Sequence, residues 1–208
     1  SSDVCSSDLW QSVRNQSGQP IVLSAFRLVA HPQADSFVAG IGTRAGWQVF
    51  RTGYSSFTPS FAVDSRFRPS QPLFPTAAAF NQHSESEYFG HPERLSSPWM
   101  MTLSEHGPPP SHLLLGFISA RRGLGEIALC RDVEVRLEAR LGIDGRRIAV
   151  GETFVGDKLL IAHGREEQAL LARYTDATAD EVTPRAPREQ VPSGWCSWYY
   201  YYTRVTEH

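Results

Sequence analysis

The stretch richest in side chains able to do chemistry is Trp195-Cys196-Ser197-Trp198-Tyr199-Tyr200-Tyr201-Tyr202. It places two Trp and four Tyr in eight positions, behind a Pro192-Ser193-Gly194 turn. Each such ring buries a large area and needs a packed partner. An indole also offers a flat platform on which the apolar face of a sugar ring stacks. Gly194 to Trp198 is short and apolar, follows a polar segment, and runs on into hydroxyl-bearing aromatics and Thr206, a candidate helix N-cap. Strand, aromatic loop and helix start make the first βα unit of a parallel fold. In a (β/α)8 barrel the active site lies where strands run out into their loops, so Trp198 would face the mouth. Two roles stay open at this point: packing between barrel and neighbouring domain, or, for Trp198, a sugar platform.

Other chemistries find no residues to carry them. There is no GxGxxG, no phosphate-binding loop ending in Lys-Ser/Thr, no HExxH and no GxSxG. The seven His residues are scattered, and none pairs with another at metal-ligand spacing. The acidic residues fall on strand faces or in one helix, where solvation accounts for them, and none forms a recognisable acid–base pair. No metal or cofactor is called for. Charge is balanced, with 20 Lys and Arg against 22 Asp and Glu, so neither nucleic acid nor an anionic membrane is the expected partner. Cys5, Cys130 and Cys196 are an odd number without CxxC spacing, which argues against a disulfide framework or a zinc site. No apolar run is long enough to span a membrane. Asn15-Gln16-Ser17 fits a glycosylation acceptor, but no secretory signal precedes it, and the expected compartment is cytoplasmic.

These side chains have to be positioned by a β-rich scaffold. Fourteen Pro, 16 Gly and 23 aromatic residues (11 Phe, 7 Tyr, 5 Trp) suit turns and strands better than a helical bundle. From Val133 to Leu141, apolar and charged residues alternate strictly, which puts every apolar side chain on one face of a half-buried strand. Asp144-Gly145 predicts a hairpin turn, with Arg147–Val150 and Glu152–Ala162 returning as strands. Further strands are expected at Ile21–Val29, Phe37–Ile41, Trp47–Tyr54, Ser97–Leu103 and His112–Ser119, with a loop at Gly107–Pro110. The Phe- and Pro-rich region from Ser55 to Pro75 excludes a central strand and reads as a loop capping an open end of the sheets. One helix is expected from Arg165 to Tyr174, then a polar, proline-bearing linker from Asp176 to Val191.

The fold class that follows is all-β: a large antiparallel β-sandwich over residues 10–163, a short helix and linker over 164–192, and the first strand of a (β/α)8 barrel over 193–208. Residues 1–9 are Ser/Asp-rich without a periodic pattern and read as a leader foreign to the fold.

The run Pro192 to Thr203 resembles the barrel entry of family 36 glycoside hydrolases, which include α-galactosidases and, more distantly, raffinose synthase-like enzymes. Phe50-Arg51-Thr52-Gly53-Tyr54-Ser55-Ser56-Phe57-Thr58-Pro59 is similar to that family's N-terminal-domain loop. Leu115-Gly116-Phe117 and Gly151-Glu152-Thr153 are weaker echoes. The resemblance covers Trp10 to His208 in order of features, and only the barrel-entry motif is specific enough to carry it alone. It implies a retaining α-galactosidase acting on terminal α-galactosyl groups of oligosaccharides. One Asp would be the nucleophile and a second the acid and then the base. Both belong to later barrel strands and are expected beyond His208, so no catalytic residue is assigned and residues 1–208 alone are expected to be inactive. The resemblance gives three substrate-binding positions. Trp198 and Tyr199 match the aromatic wall at the end of the first barrel strand. Phe57 stands where the family usually has a Trp, and Thr52 where it usually has Asn; Phe keeps a stacking face but loses the indole donor. The alternatives are a non-catalytic sugar-binding or scaffolding sandwich, or an enzyme passing galactosyl groups to another sugar. Self-association through the sandwich is compatible with the resemblance.

Overall fold

Leu113-Leu114-Leu115-Gly116-Phe117 contains no polar position because both of its faces are covered. In the computed structural model, which describes residues 4–30, 47–53, 60–64, 93–105, 107–130, 136–182, 194 and 204, this run lies inside β8 (Ser111–Phe117). Strand β8 is internal to a six-stranded sheet. Leu115 and Phe117 face a second sheet, while Leu114 meets a helix on the other side. Strand β12 (Leu159–Gly164), beside β8, behaves alike: Leu159 and Ile161 point inward, Leu160 and Ala162 toward the helix. Two covered faces turn alternation into an unbroken apolar run.

The other described strands are β1 (Cys5–Leu9), β2 (Ser12–Arg14), β3 (Ile21–Ala30), β4 (Trp47–Arg51), β5 (Phe61–Asp64), β6 (Arg94–Pro98), β7 (Met100–Glu105), β9 (Leu124–Cys130), β10 (Arg136–Ile148) and β11 (Thr153–Val155). The six-stranded sheet has the order β1-β12-β8-β7-β4-β5. The second sheet is β3-β10-β9-β6, and β11 pairs with β2 as a two-stranded ribbon. Every pairing among the described residues is antiparallel. Trp47, Val49, Leu103, Leu115 and Phe117 of the larger sheet share one buried cluster with Leu95, Ile127, Leu129, Leu137 and Leu141 of the smaller. This is the antiparallel sandwich that the sequence predicts.

Several details differ from expectation. Asp144 and Gly145 do adopt left-handed backbone (φ 54° and 70°), yet the chain does not reverse. The pair forms a bulge: β10 advances from Gly142 to Arg146 while its partner β3 moves only from Ala25 to Leu23. Beyond the bulge Arg146–Ile148 pairs with β3 again, and Ile148 is fully buried, so re-entry into the core outweighs reversal. The run Ser97–Leu103 is broken at Trp99, whose φ of 68° separates β6 from β7. The stretch Glu152–Ala162 is likewise two strands. Residues 124–130, not anticipated as a strand, form β9 in the smaller sheet. Cys5–Leu9, read as a foreign leader, pairs with β12 in register from Cys5–His163 to Leu9–Leu159. Phe37–Ile41, residues 54–59 and 65–75, and the first residues of the Val133–Leu141 alternation lie outside the described residues.

Helix α1 spans Glu167–Glu181, seven residues further than Tyr174 and into the expected linker. The apolar stripe explains the extension. Leu170, Tyr174 and Ala177 recur at helical spacing and pack on Leu114, Leu160, Ala162 and Met100 of the larger sheet. Gly116 makes room for it, since a Cβ there would lie 2.4 Å from the Tyr174 ring. The Tyr174 hydroxyl donates to the Phe117 carbonyl at 2.9 Å. Among the described residues no helix is long and apolar enough to cross a membrane.

Candidate functional site

Two segments carry the sequence-derived site residues: the loop bearing Phe57, and the chain after α1 bearing Trp198 and Tyr199. Phe57, Trp198 and Tyr199 themselves lie outside the described residues. What is described is where each segment departs.

Phe57 lies in the chain between β4 and β5, which pair antiparallel with Arg51 opposite Phe61. Both feet are fixed. Arg51 is buried, its Nε donates to the Ser96 carbonyl at 2.9 Å, and its guanidinium lies over the Phe61 ring at 5.4 Å. The Thr52 amide donates to Ser97 Oγ at 2.8 Å, and the Thr52 hydroxyl donates to the Pro98 carbonyl. The Gly53 amide donates to Ser60 Oγ at 3.0 Å. Thr52 is thus bound to the β6–β7 corner.

The second segment leaves from the end of α1. There Lys158 Nζ pairs with Glu181 at 2.7 Å, and the Arg121 guanidinium donates to the Glu181 carbonyl at 3.0 Å. Lys158 immediately precedes β12, whose first residue, Leu159, pairs with Phe117 at the end of β8. In the same sheet Met100 pairs with Gly116, and Met101 with Arg51. The two departures therefore sit at one end of the six-stranded sheet. They are separated by two to three strand spacings, about 10–15 Å.

Other polar clusters serve the fold. On the back of the smaller sheet, Arg94 pairs with Glu138 at 2.8 Å and Glu126 at 3.3 Å, and Arg136 reaches Glu138 at 3.0 Å. Arg94 Nη1 also lies 3.2 Å from Cys130 Sγ. Burial alone would raise the Glu138 carboxyl, but hydrogen bonds from Arg94 and Arg136, with the nearby charges of Arg94 and Arg27, hold it below the usual carboxylate range. Burial works against the Arg94 charge, and its acidic neighbours more than restore it. Two carboxylates locked by guanidinium groups are poor candidates for the acid and the nucleophile of a glycosidase.

A second cluster mimics a hydrolytic set. His112 Nδ1 and Ser104 Oγ are 2.9 Å apart, and Ser104 and Thr102 donate to Glu167 at 3.4 and 2.9 Å. In a catalytic triad the acid orients the imidazole; here it binds the serine instead. Ser104 and His112 are buried, so the group joins the first turn of α1 to β7. Asn15 is equally committed. Its two amide protons go to the carbonyls of Gln19 (2.9 Å) and Ile148 (3.0 Å), leaving no side-chain nitrogen for a glycan in the folded chain. Among the described residues no group of His, Cys, Asp and Glu side chains is arranged to hold a metal ion.

No protein-family model matches the chain, and no curated protein matches it.

Proposed function

We propose that this chain contributes the N-terminal sandwich and barrel entry of a retaining α-galactosidase-type glycoside hydrolase that acts on terminal α-galactosyl groups. The observation that carries the reading is the run Pro192–Thr203, whose resemblance to that family's barrel entry would put Trp198 and Tyr199 at the end of a first barrel strand. The shared departure end supports it, because a site built from Phe57, Trp198 and Tyr199 needs both segments to leave the sandwich on one side. The commitment of Glu126 and Glu138 to Arg94 supports a scaffolding role for the sandwich itself, with the reacting carboxylates elsewhere.

The test is to extend the reading frame past His208 and assay the longer protein on an aryl α-galactoside. Two Asp residues at the ends of later barrel strands and turnover with retained configuration are expected, while residues 1–208 alone give none. In the active protein, Trp198→Ala should lower kcat/KM about tenfold, the loss of one aromatic stacking contact. Hydrolysis by residues 1–208, or absence of either Asp, overturns the proposal. Product analysis with a sugar acceptor separates hydrolysis from transfer.

A further inference from the structure

Between the outer edges of the two sheets lies a half-open apolar pocket of about 160 Å³. Trp10, Phe26 and Phe117 supply aromatic walls, and Ala139, Leu141 and Leu159 the aliphatic lining. Its lining comes from the β1–β2 connection, β3, β8, β10 and β12, so it is formed only when both sheets are assembled. Gly156 packs behind it, where a Cβ would lie 3.0 Å from the Phe26 ring and 3.1 Å from Leu141.

The polar atoms at the pocket differ in availability. Asp157, on its wall, is buried and fully engaged. Its carboxylate accepts from Ser119 Oγ at 2.7 Å and from the amides of Arg121, Arg122 and Gly123 at 3.0, 2.8 and 3.1 Å. A buried carboxylate that is already satisfied repels an anion and has little left to offer a cation. The backbone of Gln11 is held, its carbonyl accepting from the Gly156 amide at 2.8 Å. Its side-chain carboxamide makes no hydrogen bond among the described residues, and the Trp10 indole is 62% exposed. An apolar cavity of roughly 150 Å³ takes up a benzene-sized molecule.

We infer that this pocket is a binding site for a small uncharged aromatic molecule of one ring carrying a hydroxyl group. The ring lies among Phe26, Phe117, Ala139 and Leu141, the Trp10 indole covers it, and the hydroxyl meets the Gln11 carboxamide. The inference is independent of the glycosidase reading, because none of these residues belongs to that site.

The experiment titrates the 208-residue chain with 4-fluorophenol and, separately, fluorobenzene, followed by fluorine NMR and calorimetry. Saturable one-to-one binding of 4-fluorophenol with Kd on the order of 0.1–1 mM is expected for a ligand of eight heavy atoms. Ala139→Leu fills the pocket and should weaken both ligands by about tenfold or more. Trp10→Ala, at an exposed position that leaves the fold intact, should weaken both by about fivefold. Gln11→Ala should weaken 4-fluorophenol about fivefold and leave fluorobenzene unchanged. Absence of saturable binding overturns the inference, as does binding that Trp10→Ala and a folded Ala139→Leu leave unchanged. Equal effects of Gln11→Ala on the two ligands overturn the hydroxyl assignment.

Discussion

Behind the six-stranded sheet, Leu114, Leu160 and Ala162 meet Leu170, Tyr174 and Ala177 of α1. Behind the four-stranded sheet, Arg94, Glu126, Arg136 and Glu138 hold one another in place, and both carboxylates are almost fully buried. The difference teaches two things. First, sequence pattern reports how many faces of a strand are covered by apolar groups: β8 and β12 contain unbroken apolar runs, Leu113–Phe117 and Leu159–Ala162, whereas β10 alternates Leu137, Glu138, Ala139, Arg140, Leu141. Second, the two closures respond to different conditions. Apolar packing is insensitive to pH, but the charged lattice is stabilising only while its carboxylates are ionised.

The comparison can be broken by removing one member of each back. Leu170→Ala deletes a fully buried side chain and should cost about 3–4 kcal/mol, read as an equal loss in urea unfolding at pH 7 and pH 4. Glu138→Ala leaves Arg94 and Arg136 without their shared carboxylate and should cost about 3 kcal/mol at pH 7. An equal cost for Glu138→Ala at low pH would show that packing, and not charge, closes that face. In the parent chain the folded-state carboxyl of Glu138 lies below its ordinary value of 4.5. Its contribution is therefore complete above that value and is lost as pH falls through the folded-state titration. A plot of the Glu138→Ala deficit against pH should shrink on the acid side of pH 4.5 and stay flat above it. The smallest effect is expected for Tyr174→Phe, which keeps the ring against Gly116 and removes one hydrogen bond to Phe117, at about 1 kcal/mol.

Strand positions were largely legible because burial on one or two faces writes itself into local pattern. Features set by distant partners were not. Strand β9 reads poorly because Gly125 must be small beneath the Phe117 ring, 2.4 Å from where its Cβ would sit, and because Glu126 is there for Arg94. Asp144-Gly145 reads as a hairpin turn, and both residues do take left-handed backbone, but the dipeptide does not say whether the strand reverses; Ile148 and its partner Ile21 decide that it does not. The helix end was misplaced because Asp176, Thr178 and Asp180 look like linker, while Ala177 alone continues the buried stripe. Asn15 matched a three-residue pattern, whereas its side chain ties the nearby Gln19 carbonyl to the Ile148 carbonyl, 133 positions from Asn15 itself. Of the candidate site, the aromatic cluster was visible as composition, and Phe57, Trp198 and Tyr199 rest on resemblance. The pocket under Trp10 was invisible, since its walls come from five separate places in the chain.

The place of β12 in its sheet has a consequence for biosynthesis. It lies between β1 and β8, yet it leaves the ribosome only after β9, β10 and β11. Until then β8 has a bare edge, and its helix-facing side stays greasy until α1 emerges as well. A nascent chain halted before Gly164 would present that surface to chaperones and to other nascent chains.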